Sequence, residues 1–138
     1  MIEIKYNNLT AEEWAYLRAS TPWTSQPKEV YSIAIQKSLL IVTAYDNTNI
    51  VGMGRMTGDG ILSFFIQDVI VLPAYQNKGI GTLLVNSLLS YVYKHATFNA
   101  VVSLMASKGK EPFYQKIGFK KRDGQIKGFG MELIINPN

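Results

Sequence analysis

The sequence contains no cysteine, which excludes disulfides, thiolate metal sites and cysteine nucleophiles. It has one histidine, His95, at the end of a helical pattern, where a cation suits the helix dipole. That residue reads as a cap and is given no chemistry. Charged residues are scarce, at 17% against 47% hydrophobic, and this balance favours a packed globular chain over a disordered one. No uncharged apolar run approaches the roughly 18 residues that a membrane span needs. The longest, Ile61 to Leu72, is interrupted by Gln67 and Asp68. Nor is there a basic-then-apolar leader, since Met1 to Tyr6 carries Glu3 and Lys5 and alternates like a strand. A cytoplasmic location without a membrane partner is expected. With no repeat, low-complexity tract or linker, one domain over residues 1–138 is expected as well.

What is present begins with charge. The net charge is +4, and half of the 14 basic residues fall between Lys108 and Lys127. Such a cluster can meet a polyanion, either nucleic acid or the phosphates of a cofactor, or it can be a solvated face. It lacks the interleaved exposed aromatics that stack bases, so a nucleic-acid partner is not expected.

Residues 2–6 read as a strand. Thr10 and Glu13 have capping-box spacing and open a helix to about Ala19, with Trp14 and Leu17 on one face. Leu9 or Tyr16 flanks that face. After a loop containing Pro22, Trp23 and Pro27, a second helix over Glu29 to Lys37 places Val30, Ile33 and Ala34 on one stripe. Three strands follow, Leu39–Tyr45, Ile50–Met56 and Ile61–Leu72, separated by Asp/Asn/Gly turns. A long helix from Gly79 to His95 has Ile80, Leu83, Leu84, Leu88 and Val92 at helical spacing. Ala100–Met105 reads as a strand that can run parallel to Ile61–Leu72 by a right-handed crossover. A short helix, Glu111–Ile117, ends at Gly118, and two strands over 119–122 and 129–135 close the chain. The fold class is therefore α+β, a mixed, mostly antiparallel sheet with helices on both faces.

The stretch from Val69 to Thr82 carries the chemistry. A buried strand feeds a loop with two close glycines, Gly79 and Gly81, and the loop feeds a helix. The first N–H groups of a helix lack partners and carry partial positive charge, and glycines let a ligand approach the backbone. That combination holds phosphate oxygens, and Lys78 adds a full charge. Packing of helix on strand is the other use of such glycines. Neither Gly52-Met53-Gly54 nor Gly79-Ile80-Gly81 has the third glycine of a dinucleotide fingerprint.

Gln76-Asn77-Lys78-Gly79-Ile80-Gly81 resembles the Gln/Arg-x-x-Gly-x-Gly/Ala signature of the GNAT (GCN5-related) N-acetyltransferases. Downstream, Pro112-Phe113-Tyr114-Gln115-Lys116-Ile117-Gly118-Phe119 is similar to that family's Tyr-x-x-x-Gly-Phe segment. The two lie in the family's order, and the resemblance covers nearly the whole chain, closest to a bacterial subgroup of small single-domain members. It implies a GNAT fold and transfer of an acetyl group from acetyl-CoA to a primary amine, by direct attack in a ternary complex. Backbone groups of Gln76, Asn77, Lys78, Gly79, Ile80, Gly81 and Thr82 would hold the CoA pyrophosphate. Val69, Ile70 and Val71 would line the pantetheine arm, and an N–H near Val71 would polarise the thioester carbonyl.

By the same resemblance, Tyr114 would protonate the CoA thiolate as general acid, and a phenol suits this because it stays protonated near neutral pH. The family's usual base positions fall near Phe65 and Gln67, neither of which accepts a proton usefully. Asp68 is the nearest carboxylate, to be weighed as base against a strand anchor, and a water chain would serve equally. Trp23 is expected to wall the acceptor pocket, with Tyr31, Arg55 and Gln67 as further contacts. No metal is expected. The acceptor is expected to be a small molecule, and the apolar run Phe129–Ile135 is open to either sheet packing or a homodimer contact. The rival readings are a GNAT-fold module that binds acetyl-CoA without turnover and a basic nucleic-acid binder.

Overall fold

The computed structural model describes residues 1–136, which form two compact units divided after Leu104. The first unit holds a five-stranded sheet in the order β1 (Ile2–Tyr6), β2 (Leu40–Asp46), β3 (Asn49–Gly58), β4 (Ser63–Val71) and β5 (Val101–Leu104). The first three pairings are antiparallel and β4–β5 is parallel. The expected mixed α+β sheet is thus present. Strands β2 and β3 are buried along almost their whole length, because helices cover both faces.

Helix α1 (Ala11–Arg18) starts where the capping box places it. Thr10 Oγ1 accepts from the Glu13 N–H at 3.1 Å, and Glu13 Oε1 accepts from the Thr10 N–H at 3.0 Å. Its buried residues Trp14 and Leu17 join Leu9, Ile41, Tyr45, Met53 and Ile70 in one core cluster. Burial of each such large side chain stabilises the fold by roughly 1.5–3 kcal/mol. Tyr16, the other flank considered, is exposed.

Helix α2 (Lys28–Lys37) lies on the same face, with a different stripe from the one expected. Val30 and Ile33 are exposed, and Tyr31, Ala34 and Ile35 turn inward. The Tyr31 ring settles against Trp14 with centroids 4.7 Å apart, and its hydroxyl accepts from the Gln26 N–H at 3.1 Å. An aromatic ring with its hydroxyl satisfied takes the inward position over the smaller Val30.

Helix α3 (Ile80–His95) covers the opposite face. Its buried stripe is Ile80, Leu84, Val85, Leu88 and Val92, so Val85 replaces the expected Leu83, which is exposed. A Cβ on Gly52 would come within 3.1 Å of Leu84, and one on Gly54 within 3.1 Å of Leu88. The two glycines let the helix sit close to β3 along this line. Strand β4 starts at Ser63 rather than Ile61, because Asp59 Oδ1 accepts from the N–H groups of Ile61, Leu62 and Ser63 in a tight turn. These bonds hold the Asp59 carboxyl below its ordinary pKa.

The second unit begins at Met105 and contains α4 (Glu111–Ile117). The helix ends at Gly118, whose φ of 123° favours glycine. The two closing strands expected over 119–122 and 129–135 do not form: residues 119–136 have no regular secondary structure. A strand persists only when a neighbouring edge takes up its N–H and C=O groups. Hydrogen bonds within this segment are local: Gly124 N–H to Lys127 O at 2.9 Å and Gln125 N–H to Asp123 Oδ1 at 2.8 Å close a turn instead of a ladder. Phe129, Met131, Leu133, Ile134 and Ile135 are all exposed.

Candidate functional site

Gln67 and Asp68 are adjacent polar residues in a strand, which breaks the two-residue alternation. The structure resolves the conflict with a bulge. Met53 pairs with Ile70 and Arg55 with Gln67, so Gly54 alone stands opposite both Asp68 and Val69. Asp68 takes a φ of 53° to make the step. The bulge also marks where β4 leaves its parallel neighbour. Pairing with β5 runs from Ser63↔Val101 to Ile66↔Leu104 and stops there. Leu72 donates to Val51 O at 2.9 Å on the β3 side. Peptide groups alternate edges along a strand, so those of Val69 and Val71 point to the side that β5 no longer covers.

The strand then leads into the glycine loop. A 3-10 turn at Pro73–Tyr75 is anchored by Tyr75 Oη, which donates to Asp46 Oδ2 at 2.7 Å. That bond is the main reason the Asp46 carboxyl lies below its ordinary pKa and one reason the Tyr75 phenol lies above its own. Gln76 Nε2 donates back to Val71 O at 3.0 Å, folding the loop onto the strand end. Asn77 and Gly79 both have positive φ, 63° and 84°. Gly79 is the N-cap of α3, no side chain caps the helix start, and a Cβ added at Gly79 would meet nothing within 4 Å. The N–H groups of Ile80, Gly81 and Thr82 therefore begin a 16-residue helix without a side-chain cap. Lys78 Nζ sits 5.5 Å from the Tyr75 ring centre. This arrangement suits an anion with several oxygens.

The residues expected on the acceptor side fall into two groups. Arg55, Gln67 and Asp68 come together at the bulge. Arg55 Nε donates to Asp68 Oδ2 at 3.0 Å, and Arg55 Nη2 donates to Gln67 Oε1 at 2.9 Å. Arg18 completes the cluster, with Nη1 donating to Asp68 Oδ1 at 2.5 Å and Nε to Thr24 O at 2.9 Å. Half-buried Trp23 lies against the Arg18 guanidinium, 5.4 Å from ring centre to Cζ. Tyr31 stands apart from these. It is 2% exposed and belongs to the core, so it does not wall a solvent-facing pocket. Each oxygen of Asp68, the candidate base or strand anchor, already accepts from a guanidinium.

Arg18 escaped the sequence reading. Its spacing on α1 looks like an ordinary basic C-terminal turn. The one hint was the polar pair Gln67-Asp68 inside an apolar strand, which calls for a buried partner without naming it.

In the second unit, Tyr114 lies on α4 with its ring edge-on to Phe113 and Phe119, at 4.9 and 5.8 Å between centroids. Burial raises the pKa of its phenol. His95 is the last residue of α3, its Nδ1 is 2.8 Å from Tyr91 O and its ring stacks on Tyr91. Among the described residues no group of three or more histidine, aspartate or glutamate side chains is arranged to hold a metal. No helix among them is long and apolar enough to cross a membrane.

Comparison with known proteins decides the family. A family model described as the acetyltransferase (GNAT) domain matches residues 7–134. The chain belongs to the GNAT acetyltransferase family. It is similar to an acetyltransferase of the GNAT family from Streptococcus pneumoniae, with 34% identity, a TM-score of 0.83, and coverage of 99% of this chain and 100% of that one. A probable acetyltransferase of unknown function from methicillin-resistant Staphylococcus aureus superposes with a TM-score of 0.86 at 28% identity, over 96% of this chain and all of that one. An uncharacterized N-acetyltransferase (ycf52) of Pyropia yezoensis is 27% identical over 125 residues, which is 88% of this chain and 71% of the relative. The sheet, the bulged β4 and the uncapped α3 described above are thus parts of a GNAT fold.

Proposed function

We propose that this GNAT protein moves the acetyl group of acetyl-CoA onto the primary amine of a small molecule. The observation that carries the proposal is the continuity between the uncovered edge of β4 beyond Ile66 and the uncapped start of α3. An extended arm ending in a pyrophosphate matches that sequence of groups: peptide N–H and C=O along the strand, then a cluster of helix N–H groups.

In this reading the peptide groups of Val69 and Val71, flanking Ile70, bind the pantetheine arm. The Val71 N–H donates to the thioester oxygen as negative charge builds there. The backbone of Gln76 to Thr82 and the charge of Lys78 hold the phosphates. The amine attacks the carbonyl carbon directly, its C–N bond forming as the C–S bond breaks. Tyr114 gives its phenolic proton to the departing sulfur. That role rests on the motif around Tyr114 and on burial that keeps the phenol protonated.

Asp68 is assigned a positioning role, since both its oxygens are engaged. Removal of the amine proton is assigned to a water relay. Trp23, Arg55 and Gln67 form the acceptor side. A cytoplasmic setting completes the reading, and a chain without cysteine is compatible with it.

The test is release of free thiol from acetyl-CoA by the purified protein across a panel of primary amines. Release that saturates with an amine is expected. Binding of acetyl-CoA with no amine-dependent release from any member would make the protein a non-catalytic binding module instead.

A further inference from the structure

The cluster at the β4 bulge holds more positive charge than it neutralises. Asp68, 6% exposed, lies between Arg18 and Arg55, which are 21% and 14% exposed. Among the described residues no second carboxylate stands at ion-pair distance from either guanidinium, so two positive charges face one negative. The cluster therefore carries a net positive charge at a partly buried position, which attracts a ligand of opposite sign.

The hydrogen bonds show which arginine is available. Arg55 has all three nitrogens engaged: Nε with Asp68, Nη2 with Gln67 and Nη1 with Ser38 Oγ at 3.4 Å. Arg18 spends Nε on Thr24 O and Nη1 on Asp68, and its Nη2 has no partner among the described residues. The carbonyl end of α1 accounts for a cation in the last turn but does not use that nitrogen. Asp68 and Thr24 O hold the guanidinium in place in advance, and the Trp23 ring lies beside it with its centre 5.4 Å from Cζ. A planar fork held this way is suited to a carboxylate or phosphate approaching at its edge.

We infer that the acceptor carries an oxyanion, carboxylate or phosphate, besides its amine, and that Arg18 Nη2 receives it. The acceptor class is therefore amino acids or aminoalkyl phosphates, as opposed to polyamines and other purely cationic amines. The inference rests on the acetyl-transfer reading for its claim that the β4 bulge is the acceptor side. The anion site itself does not depend on acetyl-CoA.

Nuclear magnetic resonance tests the site directly. The chain has two tryptophans, so two indole N–H signals report on it, assigned with Trp23→Phe. Sodium acetate, sodium phosphate and methylammonium chloride are titrated separately at constant ionic strength. Acetate or phosphate should shift the Trp23 signal saturably, methylammonium should not, and Arg18→Gln should weaken the anion at least tenfold. The anion that saturates at the lower concentration identifies the group. Arg18→Lys, which keeps the charge and loses the fork, substitutes for Arg18→Gln if that variant does not fold. No saturable shift with either anion, or an equal shift in the Arg18 variants, overturns the inference. Thiol release adds a second arm, in which glycine should outperform methylamine and phosphoethanolamine should outperform ethanolamine if they are acetylated. Anion binding together with failure to bind acetyl-CoA would retain the site and remove the acetyl-transfer reading.

Discussion

Arg55 Nε meets Asp68 Oδ2 at 3.0 Å across the β3–β4 ladder, at the one place where a single residue of β3, Gly54, faces two residues of β4. The bulge turns Asp68 to the same side as Gln67, and the two arginines hold it there. Replacing Asp68 with Ala leaves two half-buried guanidiniums facing each other. Loss of one partner from such a network should lower unfolding free energy by about 3 kcal/mol. Urea denaturation of Asp68→Ala checks this, and Asp68→Asn should fall between it and wild type.

Tyr114→Phe removes the proposed proton donor and keeps the ring. Turnover should drop by about 100-fold while acetyl-CoA affinity is unchanged. Because burial raises the Tyr114 pKa, the wild-type rate should hold past the ordinary phenol value near 10 before it falls. That alkaline limb should be missing from the variant. A pH–rate profile of both proteins makes the comparison.

Tyr45 predicts an alkaline dependence of stability. Burial first, and then the hydrogen bond to Glu13, push its pKa up to about 12 from a model-peptide value of 10.0. Its folded pKa is raised, so its contribution is complete below the unfolded value and is lost as pH climbs through the folded one. Stability should therefore fall between about pH 10 and about 12, with a shallower slope in Tyr45→Phe. Chemical denaturation at stepped pH measures both slopes.

Gly52→Ala tests the close approach of α3 to the sheet. The added Cβ would lie 2.9 Å from the Ile70 carbonyl oxygen and 3.1 Å from Leu84 Cδ1. Overpacking of this kind costs about 1–3 kcal/mol, and thermal unfolding should report it.

Local chemistry made much of this legible in the sequence. The Thr10–Glu13 box predicted α1, Gly118 closed α4, and the Gly79–Gly81 loop stood at the start of α3. What stayed hidden depends on partners distant in the chain. Arg18 and Asp68 are 50 positions apart, and neither spacing nor propensity joins them. Leu83 and Val85 flank the same Leu84–Leu88 line of α3, and helical spacing alone does not say that Val85 is the one buried. Val30 loses the inward position to Tyr31 because of Trp14. Residues 129–135 have the composition of a strand, but composition supplies no neighbouring edge.

The most direct test of the central claim is isothermal titration of acetyl-CoA into wild type and Gly79→Glu. Gly79 is at φ 84° with open space above it, so Glu there adds local strain and a negative charge at the start of α3. The account predicts saturable binding to wild type and none to Gly79→Glu that remains folded by circular dichroism. No binding to wild type, or equal binding to both, would contradict it.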